Sequence, residues 1–278
     1  LDVGIEVALH DSNGIEASSG YLLTGTTATH VVLVTNTQNV TFSQPLVFND
    51  NQTPDDSSDD FMLTPHRTGN DTNIGDLNNN FLFDPGEVWK FSTERAVGLG
   101  DNFSQIYCGA IDPVFDVVLS PAVSAGYFGV LPSLSLAIDE ETIGEDVVAI
   151  AGNDITVNYE LTNTGNTGLS DVSLSGASYV SGDTNADNVL DVDEVWTYSQ
   201  TSLAAAGSQT QSADVTARDA LTDTTVATSA SNTYFGAVVD WAFDVQWADA
   251  DSQNAPNLVV GESFELAYYL ENLGNVEL

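Results

Sequence analysis

The sequence repeats itself at a fixed distance, and this narrows the available folds more than any composition figure does. "YFG" occurs at residues 127–129 and again at 234–236, and "EVW" at 87–89 and again at 194–196; both pairs stand 107 residues apart. A turn-like "TNTQN" at 35–39 returns as "TNTGN" at 162–166 and as "ENLGN" at 271–275. The first two of these turns are 127 residues apart, so copy one carries about 20 extra residues near 45–75. The layout is copy one over 1–129, copy two over 130–236, and the opening of copy three over 237–278. Copy three runs only just past its "NLGN" turn. Closing a third core therefore needs strands from a continuing chain or from another chain. Domain arrays normally continue in cis, and that is the expectation.

Each copy reads as all-β. In "DITVNYELTNTGN", Ile155, Val157, Tyr159 and Leu161 alternate with Thr156, Asn158, Glu160 and Thr162, the period-two pattern of a half-buried strand. "ESFELAYYLENLGN" repeats it with Phe264, Leu266, Tyr268 and Leu270. "EVWTYSQ" and "EVWKFST" offer Trp196 with Tyr198 and Trp89 with Phe91, and "SADVTARD" offers Ala213, Val215 and Ala217. Many short strands between Gly, Asn and Asp turns over about 107 residues predict an antiparallel sandwich in each complete copy. The linkers lack Gly/Ser-rich spacers, which predicts a semi-rigid rod rather than beads on a string.

Charge excludes some functions. The 278 residues carry 41 acids against 4 bases, a formal net charge of -37, while 42% of the chain is hydrophobic. The apolar content is enough to bury cores, so this is no disordered acidic tail. The negative field repels phosphate backbones and anionic lipid heads and attracts divalent cations. Nucleic acid is excluded as a partner. No run of 18 apolar residues occurs, so no membrane insertion is expected in this segment. The chain opens at Leu1 within a strand-like pattern, as in a processed product or a piece of something longer.

The acidic stretch before "EVW" is the chemical motif. With Asp183 as position one, Asn185 falls at three, Asp187 at five, Val189 at seven, Asp191 at nine and Glu194 at twelve. That is the ligand spacing of an EF-hand loop: position seven uses only its backbone carbonyl, and the Glu can bind through both oxygens. Copy one repeats it with Asp76, Asn78, Asn80, Leu82 (carbonyl), Asp84 and Glu87. An all-oxygen donor set suits Ca2+ and argues against zinc. The plain alternative is a pair of solvated acidic turns, but recurrence in one register weighs against chance. The usual Gly at position six is Asn188 in loop two and Phe81 in loop one. Phe tolerates the left-handed conformation poorly, so loop one is expected to be distorted and the weaker binder. Loop one also has three carboxylates against four. Affinities of about 10⁻⁴–10⁻³ M would match extracellular modules.

"TNTGN", "GDTNADNVLDVDEVWTY" and "SADVTARD", in that order, resemble the conserved-repeat, immunoglobulin-like domains of bacterial and archaeal cell-surface proteins. The resemblance covers copy two, copy one with its insertion, and the opening of copy three. It implies tandem β-sandwiches in stalks, adhesins or surface-layer proteins. It also implies metal-binding roles for Asp183, Asn185, Asp187, Asp191 and Glu194, and it carries over no catalytic residue.

Other features are weaker. The insertion holds Asp55, Asp56, Asp59 and Asp60 with the pair His66–Arg67, and reads as a solvated excursion or a contact surface. N-x-S/T sequons at Asn39, Asn70 and Asn102 are candidate glycosylation sites; Asn51, followed by Thr53-Pro54, is a poor acceptor. Cys108 aligns with the inward Val215, and His30 with Val157, so both read as core residues, His30 partly buried. No catalytic constellation emerges, and an enzyme is not expected. The function expected is an extracellular, calcium-stabilised structural or adhesive array, serving as stalk, filament subunit or surface-layer component. Its partners would be copies of itself or other surface proteins. A glycan- or protein-binding adhesin module, or a non-catalytic appendage of a secreted enzyme, are the alternatives.

Overall fold

The computed structural model describes residues 3–11, 13–17, 20–53, 55–140, 143–144, 146–247, 260–261 and 263–277. Residues 248–259, part of the opening of copy three, lie outside them. Among the described residues there is no helix, and none is therefore long and apolar enough to cross a membrane. Contacts divide the chain into one unit of Leu1–Ser133, Thr164–Leu169 and Arg218–Thr224, and a second holding the remainder.

Copy one supplies β1 (Val3–His10), β2 (Tyr21–Leu23), β3 (Thr27–Asn36), β4 (Phe42–Asn49), β5 (Phe61–Met62), β6 (Thr64–Pro65), β7 (Leu82–Phe83), β8 (Val88–Ala96), β9 (Gly100–Ile111), β10 (Val117–Leu119) and β11 (Val123–Val130). Copy two supplies β12 (Leu134–Ile138), β13 (Val148–Ile150), β14 (Asp154–Asn163), β15 (Leu169–Leu174), β16 (Ser178–Ser181), β17 (Val195–Leu203), β18 (Gly207–Asp219) and β19 (Thr225–Ala237). Copy three supplies β20 (Trp241–Trp247) and β21 (Leu266–Asn272).

The two complete copies share one topology. One sheet runs β1-β3-β8-β6 in copy one and β12-β14-β17-β16 in copy two. The other runs β2-β11-β9-β4 (extended by β5, β7 and β10) and β13-β19-β18-β15. Each copy is an immunoglobulin-like β-sandwich. The ladders β1-β3-β8-β6, β11-β9-β4 and β12-β14-β17-β16 are antiparallel, whereas at β2/β11 and β13/β19 a short edge strand runs parallel to its neighbour. The all-antiparallel expectation is corrected there.

Period-two patterning does the folding. On β14, Ile155, Val157, Tyr159 and Leu161 are buried while Asp154, Thr156 and Glu160 are exposed. Trp196 and Tyr198 of β17 turn inward beside them, and Ala213, Val215 and Ala217 of β18 line the facing sheet. In copy one the core joins Val32, Val34, Trp89 and Phe91 to Phe42, Val47, Ile106 and Cys108. Burial pushes the Cys108 thiol up to about 12, so it is an inert core group. His30 is fully rather than partly buried, and neither ring nitrogen has a hydrogen-bond partner.

The insertion is more than a solvated excursion. It carries β5 onto β4 and β6 onto β8, one strand on each sheet. Its acids hold it together: Asn51 Nδ2 and Thr53 Oγ1 donate to Asp59 (2.8 and 2.6 Å), and Tyr107 Oη donates to Asp60 (2.7 Å). His66 Nε2 meets Ser92 Oγ at 2.8 Å, and Arg67 forms an exposed ion pair with Asp71.

The "TNTGN" turn works through its two Asn side chains. Asn166 Nδ2 donates to Gly129 O (2.8 Å) and its Oδ1 accepts from Leu131 N (2.7 Å). Asn275 repeats this with Gly236 O and Val238 N. The turn thereby grips the segment that enters its own repeat, bonding the end of one strand and the backbone just beyond it.

Candidate metal loops

The acidic loops are placed by a glycine and an asparagine. A Cβ on Gly182 would lie 2.2 Å from Val195 O, and one on Gly75 would lie 1.7 Å from Val88 O. Only Gly lets the loop start press flat against the Glu-Val-Trp strand. At the loop's far end, Leu190 and Phe83 are fully buried anchors. Their carbonyls accept from the first Asn of the turn motif: Asn163 Nδ2 to Leu190 O at 2.9 Å, Asn36 Nδ2 to Phe83 O at 2.8 Å. That bond explains why turn and loop motifs travel together.

Inside each loop one hydrogen-bond set recurs. Asp183 accepts from Ala186 N and Asn188 N; Asp76 accepts from Asn80 N and Phe81 N. Glu194 accepts from Thr184 N and Oγ1 (both 2.7 Å), Asp191 N (3.3 Å) and Trp196 Nε1 (3.0 Å). Glu87 accepts from Leu77 N (2.9 Å), Asp84 N (3.1 Å) and Trp89 Nε1 (3.1 Å). The Thr184 hydroxyl and amide, with the Trp196 and Asp191 donors, hold the Glu194 carboxyl down at about 2. Its two oxygens offer about four acceptor sites, and four donors take them. In both loops the closing glutamate holds the turn and the core tryptophan.

The remaining oxygens gather around an amide. Asn185 Nδ2 donates to both Asp187 Oδ2 and Asp191 Oδ2 at 3.0 Å. In loop one, Asn78 Nδ2 and Asn80 Nδ2 both donate to Asp84 Oδ2, at 2.8 and 2.9 Å. Thr41 Oγ1 adds a third donor at 2.6 Å, and these three keep the Asp84 carboxyl below its usual value. In loop two the amide nitrogen sits between two carboxylates, the position that a cation favours. Turning the Asn amide over would present its oxygen instead. Asp183, Asn185, Asp187 and Asp191 thus fit a hard cation by donor type, with the Val189 carbonyl at position seven. Asp76, Asn78, Asn80 and Asp84 match them, with Leu82. No group of three or more His, Cys, Asp or Glu converges as a metal cluster among the described residues.

Loop one is not distorted. Phe81 takes φ 63° and Asn188 φ 62°; two residues earlier Asn79 and Ala186 take 57° and 61°. The network forces the same left-handed backbone on both sequences, and Phe81 takes the strain with its ring in solvent.

Sequence reasoning passed over Tyr179. Its ring lies edge-on to Trp196 and Tyr198 (5.3 and 5.7 Å), and its hydroxyl accepts from Asp183 N at 2.8 Å. It lines a cavity of about 470 Å³ with Asp171, Asp183 and Asp187. No spacing rule marks it, because β16 pairs through a register shift. Among the sequons, Asn39 and Asn70 are exposed. Asn102 is buried and its Nδ2 donates to Gly98 O and Gly100 O, so the nitrogen that glycosylation needs is engaged within the fold. Asn102 is withdrawn as an acceptor.

No protein-family model matches the chain, and no curated protein matches it. Among solved structures it is similar to the C-terminal domain of the Streptococcus pyogenes antigen I/II-family protein AspA, at 8% identity over 84% of this chain and 99% of that one, TM-score 0.36. It is similar to the fibronectin(III)-like modules of Clostridium thermocellum CbhA, at 15% identity over 84% and 93%, TM-score 0.25. A protein of unknown function from Porphyromonas gingivalis W83 follows at 11% over 83% and 99%, TM-score 0.27. At these values the likeness bears on neither ligand nor activity. The all-β architecture rests on the sheets described above.

Proposed function

We propose that this chain is part of an extracellular structural or adhesive array of immunoglobulin-like domains, with the two acidic loops acting as calcium staples. One observation carries the reading: two loops 107 residues apart share the bonds from the position-one carboxylate to the position-six amide and from the closing Glu to the Trp indole, with unlike side chains at position six. Calcium bound by Asp183, Asn185, Asp187 and Asp191, and by their copy-one counterparts, would offset the crowding of acids and lock the turn beside the core Trp. A net charge of -37 supports a cation-rich setting outside the cell, where salt screens self-repulsion. The role is mechanical rather than catalytic. The partners proposed are copies of the chain or other surface proteins.

Calorimetry of the chain in calcium and in chelator tests this. Melting should rise by several degrees in calcium, and Asp187→Asn with Asp191→Asn should remove most of the copy-two gain. An unchanged melting temperature on chelation would falsify the calcium reading. The Tyr179 cavity favours one second reading, a ligand-binding module. Loss of glycan-array binding in Tyr179→Ala, with melting unchanged, would support that instead.

A further inference from the structure

The two complete copies share one topology and differ on the outer face of one sheet. On β9 the residues facing away from the core are Phe103, Gln105, Tyr107 and Gly109; at the 107-residue offset β18 carries Thr210, Ser212, Asp214 and Thr216. On β4 they are Leu46 and Phe48; at the 127-residue offset of the turn motif, β15 and the residue after it carry Ser173 and Ser175. The pairing agrees: Phe48 lies opposite Tyr107, and Ser175 N donates to Asp214 O. Copy two thus follows the alternation of a sheet with one wet face, whereas copy one places apolar residues on both faces. Forming the sandwich core does not require this.

Strand pairing gathers these residues into one patch. Leu46 and Leu119 lie on either side of Gly109, and Met62, Phe48 and Tyr107 form one row across β5, β4 and β9. A Cβ on Gly109 would stand 3.1 Å from Leu119, and one on Gly126 would stand 2.4 Å from the Phe103 ring. Both glycines therefore make room for side chains that lie over the sheet. Phe48 and Tyr107 stack at 5.3 Å, and the Tyr107 hydroxyl turns to Asp60 at the rim. Leu46, Met62, Phe103, Val117 and Leu119 are 43–73% exposed. With Phe48 and Tyr107 they leave on the order of 600 Å² bare, the top of the range for soluble monomers and most of the ~800 Å² per partner of a specific interface. None of these positions holds an acid or a base, in a chain with 41 acids.

We propose that this face binds the same face of a second copy of the chain, pairing two copy-one sandwiches. Two properties choose that occupant. Aromatic rings with Met and aliphatic side chains, free of charge, are the composition of a homodimer interface core. An uncharged face also lets two chains of net charge -37 meet without burying a carboxylate. A two-fold axis sets each face on its equal and closes the contact at two chains. The inference rests on the array reading, whose partner it names as a second chain, and it does not involve the metal.

The test is sedimentation velocity of the whole chain in chelator, at about 1 M salt, where the screening length is about 3 Å. Monomer at about 1 μM should give way to dimer by about 100 μM. Met62 is the chain's single methionine, so its oxidation by hydrogen peroxide reports on this face directly. That oxidation should slow about five-fold as the dimer forms. Leu46→Ser with Phe103→Thr, which writes copy two's residues into copy one, should leave a monomer, Met62 oxidised at the free rate and the urea midpoint of copy one kept. Phe103→Thr alone should weaken association about ten-fold, which keeps the test open if the double variant fails to fold. Asp214→Asn on the matching copy-two face should change nothing. A monomer at every concentration overturns the proposal, as does association that leaves Met62 oxidation unslowed. A dimer that survives the double substitution also overturns it, but leaves the array reading standing on another contact. A melting temperature unchanged by chelation would strike the metal staples and leave this dimer in place.

Discussion

Loop one and loop two share most of their backbone bonds and few of the side chains at positions four to six. Position five is Asn80 in one and Asp187 in the other; position six is Phe81 and Asn188; position four is Asn79 and Ala186. Yet the left-handed residues fall at the same places, and each closing Glu carries its Trp indole. The difference teaches that the spacing encodes a turn first. Carboxylates at positions one and twelve satisfy amides that the turn itself leaves without backbone partners. The loops diverge at position five and in its bonding: in loop two Asn185 bridges Asp187 and Asp191, and in loop one Asn80 is tied to Asp84 along with Asn78 and Thr41.

The largest effect expected comes from the glycine that seats both loops. In Gly182→Ala, the new Cβ would stand 2.2 Å from Val195 O and 2.6 Å from Trp196 Cα, and residue 182 has φ 126°. Backbone must move on the strand that carries the core Trp. A loss of about 4 kcal/mol in copy two is expected from clash and φ strain together. Urea unfolding followed by fluorescence would show it. Gly75→Ala should destabilise copy one through clash alone, its Cβ standing 1.7 Å from Val88 O. If either substitution costs under 1 kcal/mol, the loop is not seated by close approach and the comparison loses its basis.

Next in size is a difference between the cores rather than the loops. Where copy two has Val157, copy one has His30, buried without a hydrogen-bond partner. Burial, with the nearby Arg95 charge second, lowers its pKa from 6.5 to about 4. Both folded and unfolded His30 are neutral above about pH 7, so nothing is lost there. As pH falls from 6.5 towards 4, the unfolded chain takes a proton that the folded one refuses, and copy one loses about 2–3 kcal/mol. Copy two has no such group and should hold through that window. Its Glu194 contribution is present above the unfolded value near 4.5 and is lost only as pH falls through about 2. His30→Val should flatten the copy-one profile between pH 6.5 and 4. A slope unchanged by that substitution would sink the assignment.

The same contrasts show what could be read from residues alone. Period two marked Tyr159, Leu161, Trp196 and Val215 as inward because burial acts on alternate positions, and a fixed offset doubled every signal. The spacing found the loop because one carboxylate geometry suits both a metal and a turn. What the spacing did not show is that Glu194 also accepts from four donors of the turn and the core Trp. Contacts distant in sequence left no pattern. The Asn163 bond to Leu190 O, the Gly182 approach to Val195 and the Tyr179 stack each depend on where strands land in space. Asn102 read as a sequon because nothing in three residues tells that its amide points inward. The parallel edge pairs were hidden because β2 and β13 have only three residues each.

The smallest effect expected is the sharpest probe of whether the loops are one design. Phe81 holds φ 63° with its ring 57% exposed, so its packing contributes little while its Cβ opposes the left-handed backbone. Asn at the matching position adopts that region more readily. Phe81→Asn, which copies loop two into loop one, should stabilise copy one by roughly 0.5–1 kcal/mol. Asn188→Phe, the reverse exchange, should destabilise copy two by a similar amount. Equal and opposite shifts in urea midpoint at constant slope would show that the two networks impose the same conformation. A destabilising Phe81→Asn would instead assign the ring a packing role in copy one, beside Leu46, Leu63 and Trp89, which line the same cavity. The two loops would then be alike in their bonds but not in what their sixth residue does.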